Sequence, residues 1–314
     1  MGCADGLGVR DQGLRCSEDA VDFVLVETLK ESPKGAVIPL HRVSSAESSS
    51  RFTITSVFAG CGGMDLGFRG GFEFRGESLP GLPFEIAQSF DYDAKAVATY
   101  RENLDQSIEI RDLSNPYVDG MQGTDVLIGG FPCQDFSSCG PKRGLTSERG
   151  QLYLALVAYM RRHRPKVVVA ENVPHLERIH DGDALRQIIF DFEAEDYRFQ
   201  TWRLFAPDYG VPQNRTRIFL VGVRSDLDGA PLAPRATHAG AHRSIRWAIE
   251  DLEPVTDESV PNQSQFFLAS KAKRGNGQGD ETSQADKPAY TVRANAKSRV
   301  QFHYSLPRRL TVRE

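Results

Sequence analysis

The sequence is short of the features that staple or anchor a chain. Its five cysteines (Cys3, Cys16, Cys61, Cys133 and Cys139) are odd in number and form no C-x-x-C pair. With no signal peptide in view, that pattern argues against a disulfide or zinc framework and for a reducing, cytoplasmic setting. No apolar run approaches the roughly 18 residues that a membrane span needs. The Met-Gly-Cys start is expected to carry no myristoyl anchor, because Gly6 stands where that motif wants Ser or Thr. Neither a membrane nor a metal is therefore expected as a partner. Charge of one sign is also lacking: the net charge is −4 over 314 residues, which in bulk leans slightly away from nucleic acid. With 40% hydrophobic and 25% charged residues, what remains is an ordinary globular composition, long enough for one large or two modest domains.

Local charge is less even. Between Asp286 and Glu314 seven basic residues face two acidic ones, and a second basic run, Arg161 to Lys166, lies mid-chain. Each reads either as a nucleic-acid surface or as a solvated face.

Residues 1–50, with scattered Gly and Ser and one amphipathic stretch from Ser17 to Lys30, read as a partly disordered N-terminal extension. The pattern changes at Phe52. The β-branched run Phe52 to Phe58 predicts a buried strand, and it feeds directly into Ala59-Gly-Cys-Gly-Gly63 and a helix start. A strand, a glycine turn and a helix form the cradle in which backbone N–H groups can reach a ligand. A second strand, Glu85 to Phe90, ends on Asp91-Tyr92-Asp93 before a helical stretch, Ala94 to Asn103. An acid there can accept from a ribose diol or cap the helix, and both readings stand. Residues 73–83 read as a Gly/Pro-rich insertion, and Ser107 to Asp112 as a third strand.

The stretch Gly129 to Cys139 follows the apolar run Asp125 to Ile128, so Cys133 falls on a glycine-flanked loop at the carboxyl end of a buried parallel strand. Ligands of open α/β sheets bind at that end. Pro132 fixes the backbone before the cysteine. A lone cysteine beside an apolar strand is ordinarily a small buried hydrophobe; the motifs around it decide otherwise. After a helix over 151–163, the strand Lys166 to Ala170 delivers Glu171-Asn172-Val173 to the same edge. A helix over 183–193 and strands over 199–205 and 218–223 follow, with Arg215 and Arg217 sharing one face of an extended segment. From Arg224 onward the strand signal stops, a short helix spans 244–252, and residues 255–287 are loop-forming.

This ordered series, Phe58-Ala-Gly-Cys-Gly-Gly63, Gly130-Phe-Pro-Cys-Gln134, Arg149-Gly150, Glu171-Asn-Val173, Gln213-Asn-Arg-Thr-Arg217 and Arg308 to Glu314, resembles the DNA (cytosine-5) methyltransferase family of bacterial restriction-modification systems. The resemblance implies an α/β fold: a Rossmann-like sheet of the S-adenosylmethionine-dependent methyltransferases over 51–224, a connector and small loop-rich target-recognition region over 225–305, and the start of a return segment over 306–314. It implies double-stranded DNA as partner and S-adenosylmethionine as cofactor, leaving as S-adenosylhomocysteine. Phe58, Gly60, Cys61, Gly62, Gly63 and Pro132 would line the cofactor, Asp91 take its ribose, Tyr92 lie against adenine and Asp112 accept from the adenine amino group. Cys133 would be the nucleophile, Glu171 its acid partner, and Arg215 and Arg217 would stabilise the activated base. Gln134, Ser137, Arg149, Lys271, Lys273 and Arg274 would contact DNA.

The chemistry asks for the same residue types. Carbon-5 of cytosine is too weak a nucleophile to take a methyl group unaided; thiolate addition at carbon-6, with a carboxylic acid at N3, makes it an enamine. The target base has to leave the duplex to be reached, and the loop 132–150 has the composition of a lid. The family's usual Gly-Asn motif after Arg-Glu has no counterpart here, so a split enzyme completed by a second polypeptide, a fragment, or a DNA-binding chain without activity are alternative expectations. A relative acting on transfer RNA is a further one, disfavoured by the lack of a Cys-Phe-Thr tripeptide.

Overall fold

The computed structural model describes residues 51–114, 118–132, 151–257, 259, 281–292 and 301–314. Seven strands make one sheet in the order β5-β4-β1-β6-β7-β9-β8: β1 is Phe52–Val57, β4 Phe84–Asp91, β5 Glu109–Ile110, β6 Val126–Gly129, β7 Val167–Asn172, β8 Tyr197–Phe205 and β9 Thr216–Arg224. The first five in that order run parallel, whereas β9 is antiparallel to both of its neighbours. Helices α2 (Ala94–Asn103), α3 (Leu154–His163) and α4 (Asp183–Glu193) connect them, and α1 (Gly63–Arg69) is short.

The strands read as near-continuous apolar runs because both faces of the sheet are covered. Alternate residues divide between two clusters. Val57, Leu127, Val168 and Leu220 pack with Leu156 and Met160 of α3 and Ile188 and Phe192 of α4. Ile54, Val126, Ile128, Val167 and Val223 face the other way, against Met64 and Phe68 of α1. Gly129 marks where two strands crowd: a Cβ there would lie 2.7 Å from Val57 Cγ2.

The structure refines four of these readings. The Gly/Pro-rich insertion at 73–83 is structured as a hairpin: β2 (Gly70–Phe74) and β3 (Glu77–Gly81) pair antiparallel. The third strand contracts to Glu109–Ile110, held by two register pairs with β4. Asp91 does not cap α2; Asp93 does, its carboxylate accepting from the N–H groups of Lys95 and Ala96. The basic run 161–166 fits the solvated face of its two readings: its side chains are exposed and paired with acids, Arg161 with Glu195, Arg162 with Asp119, Arg164 with Asp196 and Lys166 with Asp125. It also lies before β7, at the strand end opposite Glu171. The helix α3 ends at His163, two residues before Pro165, with its C-cap Arg164 in the left-handed region at φ 48°, as a residue preceding proline avoids the right-handed helix. Among the described residues, no helix is long and apolar enough to cross a membrane.

Candidate active site

The parallel register aligns the strand ends. Val57 stands beside Phe90 on one side and Gly129 on the other, and Gly129 beside Ala170. The next residues, Phe58, Asp91, Gly130 and Glu171, therefore emerge together at the carboxyl edge of four adjacent strands, where an open α/β sheet presents its ligand site.

On the β1–β4 side the chain turns sharply. Phe58, Gly60 and Gly62 have φ of 54°, 58° and 87°; the value at Phe58 is uncommon for a side chain of its size, as local strain at a ligand site can be. The Asp91 carboxylate holds the turn, accepting from Gly60 N–H at 2.8 Å and from Asp93 N–H at 2.8 Å. Each oxygen keeps a lone pair for a further donor. A Cβ added at Gly60 or Gly63 would meet no atom within 4 Å, so open space lies over the turn. Gly62 points the other way, and a Cβ there would fall 2.0 Å from Leu104 Cδ1. Tyr92, which follows Asp91, is 69% exposed, and Cys61 is exposed too. These residues fit a nucleoside-bearing cofactor: open space over a glycine turn, with a carboxylate at its edge that can accept from a diol. Asp112, two residues past β5, accepts from Ser114 N–H at 2.8 Å, and these Ser114 hydrogen bonds hold its exposed carboxyl below the ordinary value.

A polar anchor lies under the turn. Asp65 of α1, 1% exposed, accepts from Ser56 Oγ and Tyr100 Oη at 2.9 Å each. Burial pushes its carboxyl up, and the hydrogen bonds only partly offset this.

On the β6–β7 side Glu171 Oε1 lies 2.6 Å from Arg217 Nε of β9, both side chains about four-fifths buried. Burial raises the Glu171 carboxyl above its ordinary value; the cations Arg217 and Arg215 pull it down without prevailing. Burial and Arg217 in turn lower the Arg215 guanidinium. Gly130 keeps the space beside the carboxylate, since a Cβ there would be 3.3 Å from Glu171 Oε2. A carboxyl poised to hold a proton, flanked by two guanidiniums, can donate a hydrogen bond to a ring nitrogen and steady charge that develops nearby.

Asn172, to which the sequence gives no role beyond membership of a motif, ties the two strand ends together. Buried at 3% exposure, its Nδ2 donates to Phe131 O at 3.0 Å and its Oδ1 accepts from Val173 N–H at 2.8 Å. It thus fixes the backbone two residues before Cys133 relative to Glu171. The only signal in the sequence is a polar residue closing an apolar strand. Pro132 is half-buried beside it. Cys133, Gln134, Ser137, Arg149, Lys271, Lys273 and Arg274 lie outside the described residues.

Comparison with known proteins sets this edge in context. Residues 52–266 match the family model for C-5 cytosine-specific DNA methylases. The type II methyltransferase M.BspRI of Lysinibacillus sphaericus is 32% identical over 277 residues, which cover 81% of this chain and 64% of that protein. M.NgoFVII of Neisseria gonorrhoeae is 37% identical over 193 residues, covering 61% and 49%. The chain thus spans about half to two thirds of the length of these curated relatives. Among solved structures, a DNA-modification methyltransferase encoded within an E. coli prophage superposes with a TM-score of 0.58 at 18% identity, covering 83% of this chain and 86% of that one. The S. pombe Dnmt2 methyltransferase gives 0.53 at 17%, covering 76% and 70%. At such identities the likeness is one of fold.

Proposed function

Since the chain belongs to the C-5 cytosine-specific DNA methylase family, we propose that it methylates carbon-5 of a cytosine flipped out of a specific duplex sequence, protecting host DNA in a restriction-modification system. The observation that carries this reading is the Glu171–Arg217 pair at 2.6 Å, with Glu171 raised by burial, standing beside Gly130, three residues before Cys133.

In the proposed reaction S-adenosylmethionine supplies an electrophilic methyl group when bound. The turn from Phe58 to Gly63 would hold its methionine end, the Asp91 carboxylate would accept from its ribose hydroxyls, Tyr92 would lie against its adenine and Asp112 would accept from its adenine amino group. Cys133 adds as thiolate to carbon-6 of the cytosine while Glu171 donates its proton, or a hydrogen bond, to N3. The electron pair of the 5,6 double bond is thereby made available at carbon-5, which would bond to the methyl carbon as the methyl–sulfur bond breaks. The electron pair of that bond would go to sulfur, so that S-adenosylhomocysteine leaves, and the N3 proton would return to Glu171 as the adduct collapses. Loss of the carbon-5 proton to a base then restores the double bond and expels the cysteine, so sulfur leaves as it came. Arg217 and Arg215 steady the negative charge on Glu171 and on the base between these steps. Gln134, Ser137, Arg149, Lys271, Lys273 and Arg274 supply contacts to the strand and the orphaned partner base, offsetting the few kcal/mol lost in unstacking.

The test is transfer of labelled methyl from S-adenosylmethionine to duplex DNA, with transfer RNA in parallel, followed by nucleoside analysis. Label in 5-methylcytosine from DNA supports the proposal. Label only from RNA, or in another nucleoside, refutes it. Repeating the assay with a polypeptide carrying a Gly-Asn motif reads out whether a second chain is required.

A further inference from the structure

The β2–β3 hairpin interrupts the path from α1 to β4 and pairs only with itself. Its two-residue turn, Arg75-Gly76, has both φ values positive, 50° and 77°, the twist that tight hairpins favour. The turn aims outward at a different part of the chain, the short helix α5 (Ile245–Ile249) beyond β9. There Arg75 Nη1 meets Asp251 at 2.8 Å and Nη2 meets Glu250 at 3.5 Å. In the reverse direction Arg243 Nη2 reaches both carboxylate oxygens of Glu77 at 3.1 Å. Between these crossed ion pairs lies Trp247, with the Arg243 guanidinium 4.1 Å and that of Arg75 5.5 Å from its ring centroid, and the Phe74 ring at 5.7 Å.

What Trp247 holds is connected onward. The helix α5 receives the segment 285–289 through Ile245 N–H to Lys287 O and Arg246 N–H to Ala285 O, and Ile245 and Ile249 bury Ala289. Ala289 in turn bridges to Gln213; its carbonyl accepts from Asn214 N–H at 2.7 Å, and its N–H donates to Pro212 O at 2.8 Å. Asn214 Nδ2 donates to Pro288 O at 3.0 Å. The next residues are Arg215, Thr216 and Arg217, the last paired with Glu171.

We propose that the hairpin is a brace: Arg75, Arg243 and Trp247 are positioning residues that seat the region beyond β9 against the Gln213–Arg217 segment, and so set how DNA is presented to the Glu171 edge. The role in DNA presentation rests on the methyltransferase reading; the mechanical role does not. A hairpin needed only for stability has no reason to exchange charges in both directions across one aromatic ring, and surface ion pairs of this kind contribute little stability singly. Their value lies in fixing register and orientation.

The test uses the full chain with Trp247→Ala, Trp247→Phe and Arg75→Asp, the last because aspartate tolerates a positive φ, together with Arg75→Asp/Asp251→Arg. Amide exchange and steady-state methyl transfer are both measured. In Trp247→Ala, exchange at Asn214 and Ala289 should quicken by at least about tenfold while β1 and β4 are unmoved. The KM for duplex DNA should rise roughly tenfold, with kcat and cofactor affinity within about threefold. Arg75→Asp should move the same way, Asp251→Arg restore it, and Trp247→Phe stay near the parent. Unchanged exchange at Asn214 and Ala289, or an unchanged KM beside a lowered melting temperature, would overturn the brace. If the parent chain transfers no methyl group either alone or with the added Gly-Asn polypeptide, the enzyme reading fails, and exchange at Asn214 and Ala289 still decides the brace.

Discussion

Replacing Asn172 with alanine should damage both the fold and the reaction, by an amount the structure allows one to work out. The side chain makes two hydrogen bonds, to Phe131 O at 3.0 Å and from Val173 N–H at 2.8 Å. Phe131 is 3% exposed and Asn172 itself 3%, so water does not readily replace the lost partner. An orphaned buried carbonyl costs about 1–3 kcal/mol, and losing the second bond adds about 1 kcal/mol. A total near 3 kcal/mol would take a large share of the ~5–15 kcal/mol that holds a domain folded. It would lower the melting temperature by roughly 6–12 °C, at about 2–4 °C per kcal/mol for a domain of this size. Because Phe131 lies two residues before Cys133, turnover should fall further than unfolding explains, measured well below the melting temperature. Asn172→Asp should do no better, since it keeps the acceptor for Val173 but sets a carboxylate against the Phe131 carbonyl. Calorimetry and initial rates at 20 °C check both halves. A melting temperature within 2 °C of the parent would refute the hydrogen-bond reasoning, and parental turnover would refute the link to the cysteine loop.

Other substitutions separate the site's parts. Glu171→Gln should leave folding intact and reduce methyl transfer by about 10²–10⁴-fold, the usual worth of a general acid. Because the Glu171 carboxyl is raised by burial and the proposed reaction uses its protonated form, turnover of the parent should fall as pH rises through that raised value. Its contribution to stability has the same sign, present below the unfolded pKa and lost on the way up. Gly62→Ala combines a φ of 87° with a Cβ 2.0 Å from Leu104, and should cost roughly 2–5 kcal/mol of stability in denaturant titration. Gly63→Ala, whose Cβ meets nothing, should leave the denaturation midpoint alone and weaken S-adenosylmethionine in calorimetric binding. Arg308→Ala would strand Glu314, which the guanidinium grips by two bonds of 2.6 Å in full burial, at a cost of about 3–5 kcal/mol. Burial alone would raise the Glu314 carboxyl, but Arg308 and Thr311 N–H outweigh it and hold the group below its ordinary value. That stability is present above the unfolded pKa and lost as pH falls, so the gap between parent and variant should narrow in acid.

Much of this was legible where local and global signals agree. The spans 94–103 and 183–193 are the helices α2 and α4 to the residue, because each follows a turn that ends one pattern before the next begins. The central strands were readable as apolar runs, since helices cover both faces of the sheet. The hairpin was not, because its strands are largely exposed, carry Gly and Pro, and bury no alternate face; an edge strand tolerates Pro80 where a central one would not. Nor did the sequence separate the two acids of Asp91-Tyr92-Asp93. Asp93 is the one whose carboxylate reaches the α2 N–H groups, which frees Asp91 for the glycine turn. Asn172 went unread because its partner is 41 residues away, a contact that only the parallel pairing of β6 with β7 creates. The basic run at 161–166 kept two readings open in the sequence, since its acidic partners Asp119, Glu195 and Asp196 are distant in sequence and close in space.

The central claim is that Cys133 attacks a cytosine whose N3 is served by Glu171. Duplex DNA carrying 5-fluorocytosine tests it most directly, because fluorine cannot leave carbon-5 as a proton does, and a completed methyl transfer leaves protein and base covalently joined. With labelled S-adenosylmethionine, the parent chain should yield a denaturation-resistant, methyl-labelled complex. Cys133→Ser should yield none, and Glu171→Gln should form it far more slowly. Methylated cytosine in unmodified DNA without any trapped complex, or a complex that survives Cys133→Ser, would contradict the account.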